Sequence, residues 1–260
     1  MKELKFERSV AGPFGANAAS NQREILKLLE QGMLTVDGLL PWGSNYTFLG
    51  HVTEDDRQVR VVYKPVRGER PLWDFPHGTL AQREVAAYVV CHGLGWDFVP
   101  PTVLRDGPHG AGSVQLFMDV DQDAHFFTFR EDPKYRPALQ ALCLFDVIVN
   151  NADRKGGHCL CAGDGWICAI DHGVCFNAQP KLRTVIWDFA GQTVPPAHLA
   201  ALCQLQAELA NHLSPTVQAL TALLTREEVG AMRGRLAALI EEEHFPEPPE
   251  NRRPFPWPLV

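Results

Sequence analysis

The chain has 260 residues, 45% of them hydrophobic and 21% charged, an ordinary balance for a globular protein that leaves room for one large domain or two small lobes. A net charge of -7 argues against nucleic-acid partners and against simple attraction to anionic membranes, and no apolar run approaches the ~20 residues of a membrane-spanning helix, so no integral membrane contact is expected. Met1-Lys2-Glu3-Leu4-Lys5 lacks the apolar stretch of a signal peptide, and seven cysteines, an odd number in a chain too long to need stapling, read as reduced thiols, so the expectation is a cytoplasmic protein.

In chain order, Ser20 can cap a helix whose apolar residues Ile25, Leu28 and Leu29 fall at helical spacing, with Gly32 as its stop. Strands follow over Met33 to Leu40 and Tyr46 to Val52, separated by the turn Pro41-Trp42-Gly43-Ser44-Asn45. After a second turn at Glu54 to Arg57, Val59, Val61 and Tyr63 alternate with Arg60, Val62 and Lys64 as a half-buried strand does. Arg67 to Gly78, rich in Gly, Pro and charge, reads as a loop, with Trp73 and Phe75 set among charges. Thr79 can cap a helix through Ala86, Val89 and Val90, and Ser113 to Met118 is a short apolar strand. Asp119 to Pro133 is polar and irregular, the character of a linker. Beyond it, Pro137 to Val149 is an apolar helix, and Cys159 to Cys161 and Trp166 to Ile170 form a hairpin about Gly163-Asp164-Gly165. From Pro196 the pattern is helical, broken at Ser214-Pro215 and near Thr225, where Thr225 and Glu228 match a capping box. The fold class expected is α+β, with a small β-rich N-lobe over 1–120, a helical C-lobe over 121–244 and a proline-rich tail over 245–260.

Three separated pieces carry chemistry. Gly43-Ser44-Asn45 lies between two strands, where a glycine lets backbone N–H groups approach phosphate oxygens, and Lys64 on the next strand supplies a point charge. Glu84, early in the following helix, either pairs with that lysine or lies on a solvated helix face. The third piece is the densest: an apolar helix runs into Asn150-Asn151-Ala152-Asp153-Arg154-Lys155-Gly156-Gly157-His158, and the hairpin beyond it ends at Asp171-His172-Gly173. Phosphoryl transfer needs one carboxylate near the attacking hydroxyl and another on a metal, and this layout can bring Asp153 and Asp171 together across the hairpin. Asp146, at the helix end, either hydrogen-bonds the loop or is a surface carboxylate.

The order Gly-containing turn, strand Lys, helix Glu, Asp-Arg loop and Asp-x-Gly resembles the protein-kinase-like superfamily in its atypical branches: the phosphatidylinositol 3-/4-kinase catalytic domain, the HipA kinases and the Fam20-type secretory-pathway kinases. Asn151-Ala152-Asp153-Arg154 is similar to the Asn-x-Asp-Arg loop of those branches, and Ile170-Asp171-His172-Gly173 to their metal-binding motif. The whole chain also resembles an actinobacterial group described as phosphatidylinositol kinase-like. The resemblance implies a two-lobed fold and an ATP-dependent kinase using Mg²⁺ or Mn²⁺. In it Asp153, with Arg154 and Lys155 beside it, is catalytic; Gly43, Ser44, Asn45, Lys64 and Glu84 serve the phosphates; Gln115 and Phe117 lie in the strand that meets adenine; and Asp171 and His158 hold the metal.

Two departures bear on this. His158 stands five residues after Asp153, where kinases place an Asn, and imidazole suits softer metals than Mg²⁺. The turn at Gly43 lacks the repeated glycines of ordinary protein kinases. The acceptor, a hydroxyl on a lipid, a small molecule or a protein, is not readable, although Lys181 and Arg183 are positioned in sequence to receive an anionic substrate. Rival readings are a nucleotide-binding pseudokinase, a nucleotidyl transferase, and an adaptor using only the tail from Pro246 to Pro258. A zinc site built from His158, Cys159, Cys161, Cys168, His172 and Cys175 lacks the Cys-x₂-Cys spacing such sites use.

Overall fold

The structure, a computed structural model, describes residues 2–3, 18–40, 45–163 and 165–260. The chain forms two compact units, one from Met1–Tyr88 with Pro100–Met118 and the other from Val89–Val99 with Asp119–Val260. It is α+β, with strands dominating the first unit and helices the second.

In the first unit a two-residue strand β1 (Lys2–Glu3) is followed by α1 (Ala18–Gln31), then β2 (Met33–Leu39), β3 (Phe48–Glu54) and β4 (Arg57–Pro65). Helix α2 (Leu80–Gly93) precedes the hairpin of β5 (Thr102–Gly107) and β6 (Gly110–Leu116). The sheet runs β2-β3-β4-β6-β5, all antiparallel, with β1 parallel to the start of β4. The β3–β4 turn closes with Asp55 at φ 53°, a left-handed position that Asp tolerates better than most residues. Ile25, Leu28 and Leu29 of α1 are buried with Leu34, Val61, Tyr63 and Val114 of the sheet, so the 3.6-residue spacing of the helix meets the two-residue spacing of the strands. Each fully buried aliphatic side chain of this kind contributes roughly 1.5–3 kcal/mol.

Two differences from expectation arise here. Residues 102–107 were not expected as a strand. Their pairing with β6 makes one, because β-structure depends on partners more than on the segment's own residues. Thr79 stands at the N-cap of α2, its carbonyl accepting from the Arg83 N–H (3.2 Å), but its hydroxyl does not serve the helix N–H groups. The Ala81 N–H donates to Glu69 Oε1 (2.9 Å), while the Thr79 hydroxyl donates to the Pro76 carbonyl (2.8 Å). A carboxylate from the preceding loop therefore serves the helix N-terminus, where negative charge is favoured.

The second unit contains β7 (Asp121–His125) and the one-turn helix α3 (Phe126–Phe129), both inside the stretch expected to be a linker. β7 pairs with β8 (Cys159–Gly163), which pairs with β9 (Trp166–Ala169), and Phe126 and Phe129 are buried. Between α3 and this hairpin, α4 (Arg136–Val149) is apolar nearly all round and correspondingly buried. The helices α5 (Pro196–Ala210), α6 (Pro215–Leu223) and α7 (Arg226–Glu242) complete the unit. Their starts follow the sequence signals: Ser214 Oγ accepts from the Val217 N–H (3.1 Å), and Thr225 and Glu228 form the reciprocal capping box. Among the described residues no helix is long and apolar enough to cross a membrane.

Candidate active site

In the first unit, strand alternation buries Val59, Val61 and Tyr63 on one face of β4 and sets Lys64 on the other. There the Lys64 ammonium forms an ion pair with Oε1 of Glu84, which is 3% exposed and projects from the second turn of α2. The ion pair orients both side chains. Gly43 and Ser44 lie outside the described residues. Asn45 is committed to the neighbouring loop, its Oδ1 accepting from the Arg70 N–H at 2.7 Å.

Strand β6 ends at Leu116, inside the segment expected to meet adenine. Gln115 is buried, and its Nε2 donates to Thr102 Oγ1 (2.9 Å). That side chain ties β5 to β6 within the strand segment expected to meet adenine. Phe117 donates its N–H to the Arg60 carbonyl (2.9 Å), and the Arg60 guanidinium lies over its ring at 4.5 Å.

The second unit holds the denser group. Helix α4 ends because Asn150 adopts a left-handed conformation (φ 53°, ψ 52°). Its side-chain amide donates to the carbonyls of Asn177 (2.7 Å) and Gln179 (2.8 Å), and its Oδ1 accepts from the Lys181 N–H (2.8 Å). The loop that follows is organised around Asp146, which is completely buried in the last turn of α4. Asp146 accepts from Asn151 Nδ2 (3.0 Å), from Arg154 Nε and Nη2 (3.0–3.1 Å) and from Thr184 Oγ1 (3.2 Å). The loop-anchoring reading of Asp146 is therefore the one observed.

Arg154 is equally buried and spends its remaining donors on the carbonyls of His158 (3.1 Å) and Ile170 (3.0 Å) and on His172 Nε2 (2.7 Å). Because a guanidinium only donates, His172 Nε2 accepts, and the ring carries its proton on Nδ1. Arg154, expected beside Asp153 among the catalytic residues, thus binds the Asp153 loop to the β9 end.

What the network presents is Asp153, Lys155, His158 and Asp171. The Asp153 N–H donates to Asn151 Oδ1 (3.0 Å), and Lys155 Nζ lies 3.3 Å from Asp153 Oδ2. Burial pushes the Asp153 carboxyl above its ordinary value; the Lys155 ammonium and the Arg183 guanidinium oppose that shift, and the like charge of Asp171 adds to it. Asp171 sits at φ 62°, just past β9, with its side chain half exposed.

His158 links the two carboxylate residues, its Nδ1 lying 3.1 Å from the Asp153 carbonyl and its Nε2 3.3 Å from Asp171 Oδ2. A carbonyl only accepts, so Nδ1 carries a proton. A neutral ring then turns the Nε2 lone pair toward a carboxylate oxygen, an arrangement of two acceptors that a cation between them would stabilise. A proton or a metal ion satisfies them, so the donor set fits a divalent cation held by one hard oxygen and one imidazole nitrogen. Among the described residues no group of three or more His, Cys, Asp or Glu side chains is arranged around a metal position, so the rest of such a shell would come from phosphate oxygens and water. The cysteines considered for zinc belong to no such group among the described residues; Cys159 and Cys168 are buried, and burial pushes the Cys168 thiol up to about 12.

A cavity of about 320 Å³ opens beside Asp153, lined by Arg183, Arg253, Phe255, Pro256 and Trp257. The proline-rich tail was expected to lack regular structure and, in the adaptor reading, to serve a partner. It lies along the loop instead, with the Gly156 N–H donating to the Leu259 carbonyl (2.7 Å) and Thr184 N–H (3.0 Å) and Trp187 Nε1 (3.3 Å) to the Pro254 carbonyl. Sequence reasoning missed Thr184 and the tail residues, since only the folded chain brings them to positions 146–158.

No protein-family model matches the chain. Among solved structures, the Golgi casein kinase superposes with a TM-score of 0.56 at 16% identity, over 86% of this chain and 75% of that one. The same kinase with Mn/ADP bound gives 0.56 at 15%. At such identity the likeness shows the fold, which is kinase-like. Phosphatidylinositol 4-kinase gamma 4 of Oryza sativa subsp. japonica is 31% identical over 138 residues, 46% of this chain but only 24% of that protein. Protein Rv2133c of Mycobacterium tuberculosis is 40% identical over 264 residues, 89% of this chain and 94% of that protein. With near-complete coverage on both sides at this identity, the chain belongs to the family of Mycobacterium tuberculosis Rv2133c.

Proposed function

We propose that this chain is a metal-dependent phosphotransferase that moves the γ-phosphoryl group of ATP to a hydroxyl acceptor. The observation that supports the reading is the linkage of Asp153 and Asp171 through His158 on a loop fixed by the buried Asp146–Arg154 pair. Asp153 is the residue that orients the acceptor hydroxyl and takes its proton as the oxygen–phosphorus bond forms and the bond to the departing ADP breaks. Its carboxyl, pushed up by burial, is a better proton acceptor than a solvated Asp. Lys155 balances its charge, and Lys64, oriented by Glu84, neutralises nucleotide phosphate oxygens. Asp171 and His158 would hold Mg²⁺ or Mn²⁺, which supplies charge neutralisation to the phosphoryl oxygens when bound. The Mn/ADP complex of the Golgi casein kinase supports nucleotide and divalent-metal use. The rice relative supports placing the chain in the phosphatidylinositol 3-/4-kinase-like branch. Catalysis on this reading is positioning and charge stabilisation, without a covalent enzyme intermediate.

The test is ATP turnover by the purified chain with Mg²⁺ and Mn²⁺ in parallel, against Asp171→Ala. Metal-dependent ADP formation that is lost in the variant is the expected result. Tight ATP binding with no turnover under any condition would instead assign a nucleotide-binding pseudokinase, the reading that His158 in the usual Asn position favours.

A further inference from the structure

The cavity beside Asp153 has walls the phosphotransfer reading does not use. Its lining contains two guanidiniums, Arg183 and Arg253, against the single carboxylate of Asp153, and two aromatic side chains, Phe255 and Trp257, that are exposed by 41% and 73%. Arg253 lies over the Trp257 ring at 5.5 Å, which holds its planar head in one orientation. Arg252, next in the chain, has a buried Nε with no hydrogen-bond acceptor among the described residues. Burial and the like charge of Arg183 both disfavour the charged form of Arg252. The two guanidiniums that line the cavity, with the Arg252 charge near enough to Arg183 to be repelled by it, are stabilised by an oxyanion. The arginine fork matches the oxygens of a phosphate or a carboxylate, and the volume of about 320 Å³ lies in the range of small-molecule sites.

We infer that the C-terminal tail builds the acceptor pocket, and that the acceptor is a small soluble hydroxyl compound carrying its own phosphate or carboxylate, held by Arg183 and Arg253 with Trp257 against its body. The inference rests on the reading of Asp153 as the residue that faces the acceptor hydroxyl. It makes the tail part of the site, since Pro254 and Leu259 are fastened by backbone hydrogen bonds to Thr184 and Gly156, neighbours in sequence of the lining residues Arg183 and Asp153.

Calorimetric titration of the full chain without nucleotide tests it, using three probes that share hydroxyls and differ in charge: glycerol, D-glycerate and glycerol 3-phosphate. The expected result is saturable binding of one or both anions, none of glycerol, and a ten- to hundredfold loss of anion affinity in Arg253→Gln, the cost of one charge-assisted hydrogen bond. Arg253 is exposed, so the variant should fold, which its melting temperature checks; Arg253→Lys should recover part of the affinity. Failure of both anions to bind, or equal binding in Arg253→Gln and Arg183→Gln, overturns the inference. Binding to phosphatidylglycerol vesicles with no response to the soluble anions overturns the small-molecule class and assigns the arginines to a lipid surface. The two readings fail separately. Anion binding by a chain that never forms ADP leaves the pocket standing and removes the phosphotransferase. ADP formation stimulated equally by charged and uncharged acceptors removes the pocket and leaves the enzyme.

Discussion

Removing the Asp146 carboxylate is the perturbation that most directly probes how the site is held. Asp146 and Arg154 are both fully buried, and the carboxylate receives five hydrogen-bond contacts, from Asn151, Arg154 and Thr184, at 3.0–3.2 Å. Breaking a buried pair by deleting one partner costs about 3–5 kcal/mol, because the surviving charge stays desolvated. For a chain of this size roughly 2–4 °C of melting temperature accompanies each kcal/mol, so Asp146→Ala should melt roughly 10 °C below the parent chain. Removing both charges should be gentler: Asp146→Leu with Arg154→Met is expected to recover more than half of the loss, since apolar replacement of a buried pair is often neutral. Thermal and urea denaturation of the three variants give the magnitudes. Hydrogen exchange at Asn151, Asp153 and Arg154 reports whether the loop loosens first. A loss under ~1 kcal/mol for Asp146→Ala, or a double variant no more stable than the single, would refute the claim that this pair organises the loop.

Other consequences are open to simpler measurements. Lys64→Met leaves the Glu84 carboxylate buried without its ammonium and should cost about 2 kcal/mol in urea denaturation, less than a fully buried pair because Lys64 is partly exposed; adding Glu84→Gln should recover most of it. Burial raises the Asp97 carboxyl to about 7, so the folded chain holds a proton there that the unfolded chain releases near 4. The stability linked to this group is greatest below the unfolded value and falls as pH rises toward 7. Asp97→Asn should therefore be more stable than the parent by about 2 kcal/mol at pH 8 and indistinguishable near pH 4; a difference independent of pH would contradict the assignment. Thr225→Ala removes one half of the α7 capping box and should cost about 1 kcal/mol in thermal denaturation.

Much of the local structure was legible because its signals are local. The alternation at Val59, Val61 and Tyr63 set the facing of Lys64, the Thr225–Glu228 spacing gave a helix start, and the density of polar groups after Val149 marked the loop. What could not be read depends on partners distant in sequence. β5 and β7 are strands because β6 and β8 pair with them, not because of their own residues. Glu69 caps α2 from a loop eleven residues before the helix begins. The pairing of Arg154 with Asp146, eight residues earlier, is seen only once the loop folds back over the end of α4. The arginines of the tail, about a hundred residues beyond Asp153, carried no spacing signal at all; the backbone bonds of Pro254 and Leu259 bring them there.

The central claim is tested most directly by ³¹P NMR of ATP incubated with the chain, Mn²⁺ or Mg²⁺, and a charged hydroxyl acceptor, beside the same mixture with Asp153→Asn. The account predicts ADP and a new phosphate monoester resonance with the parent chain, and neither with Asp153→Asn although ATP still binds. AMP and pyrophosphate as products, or equal ADP formation by the variant, would contradict it.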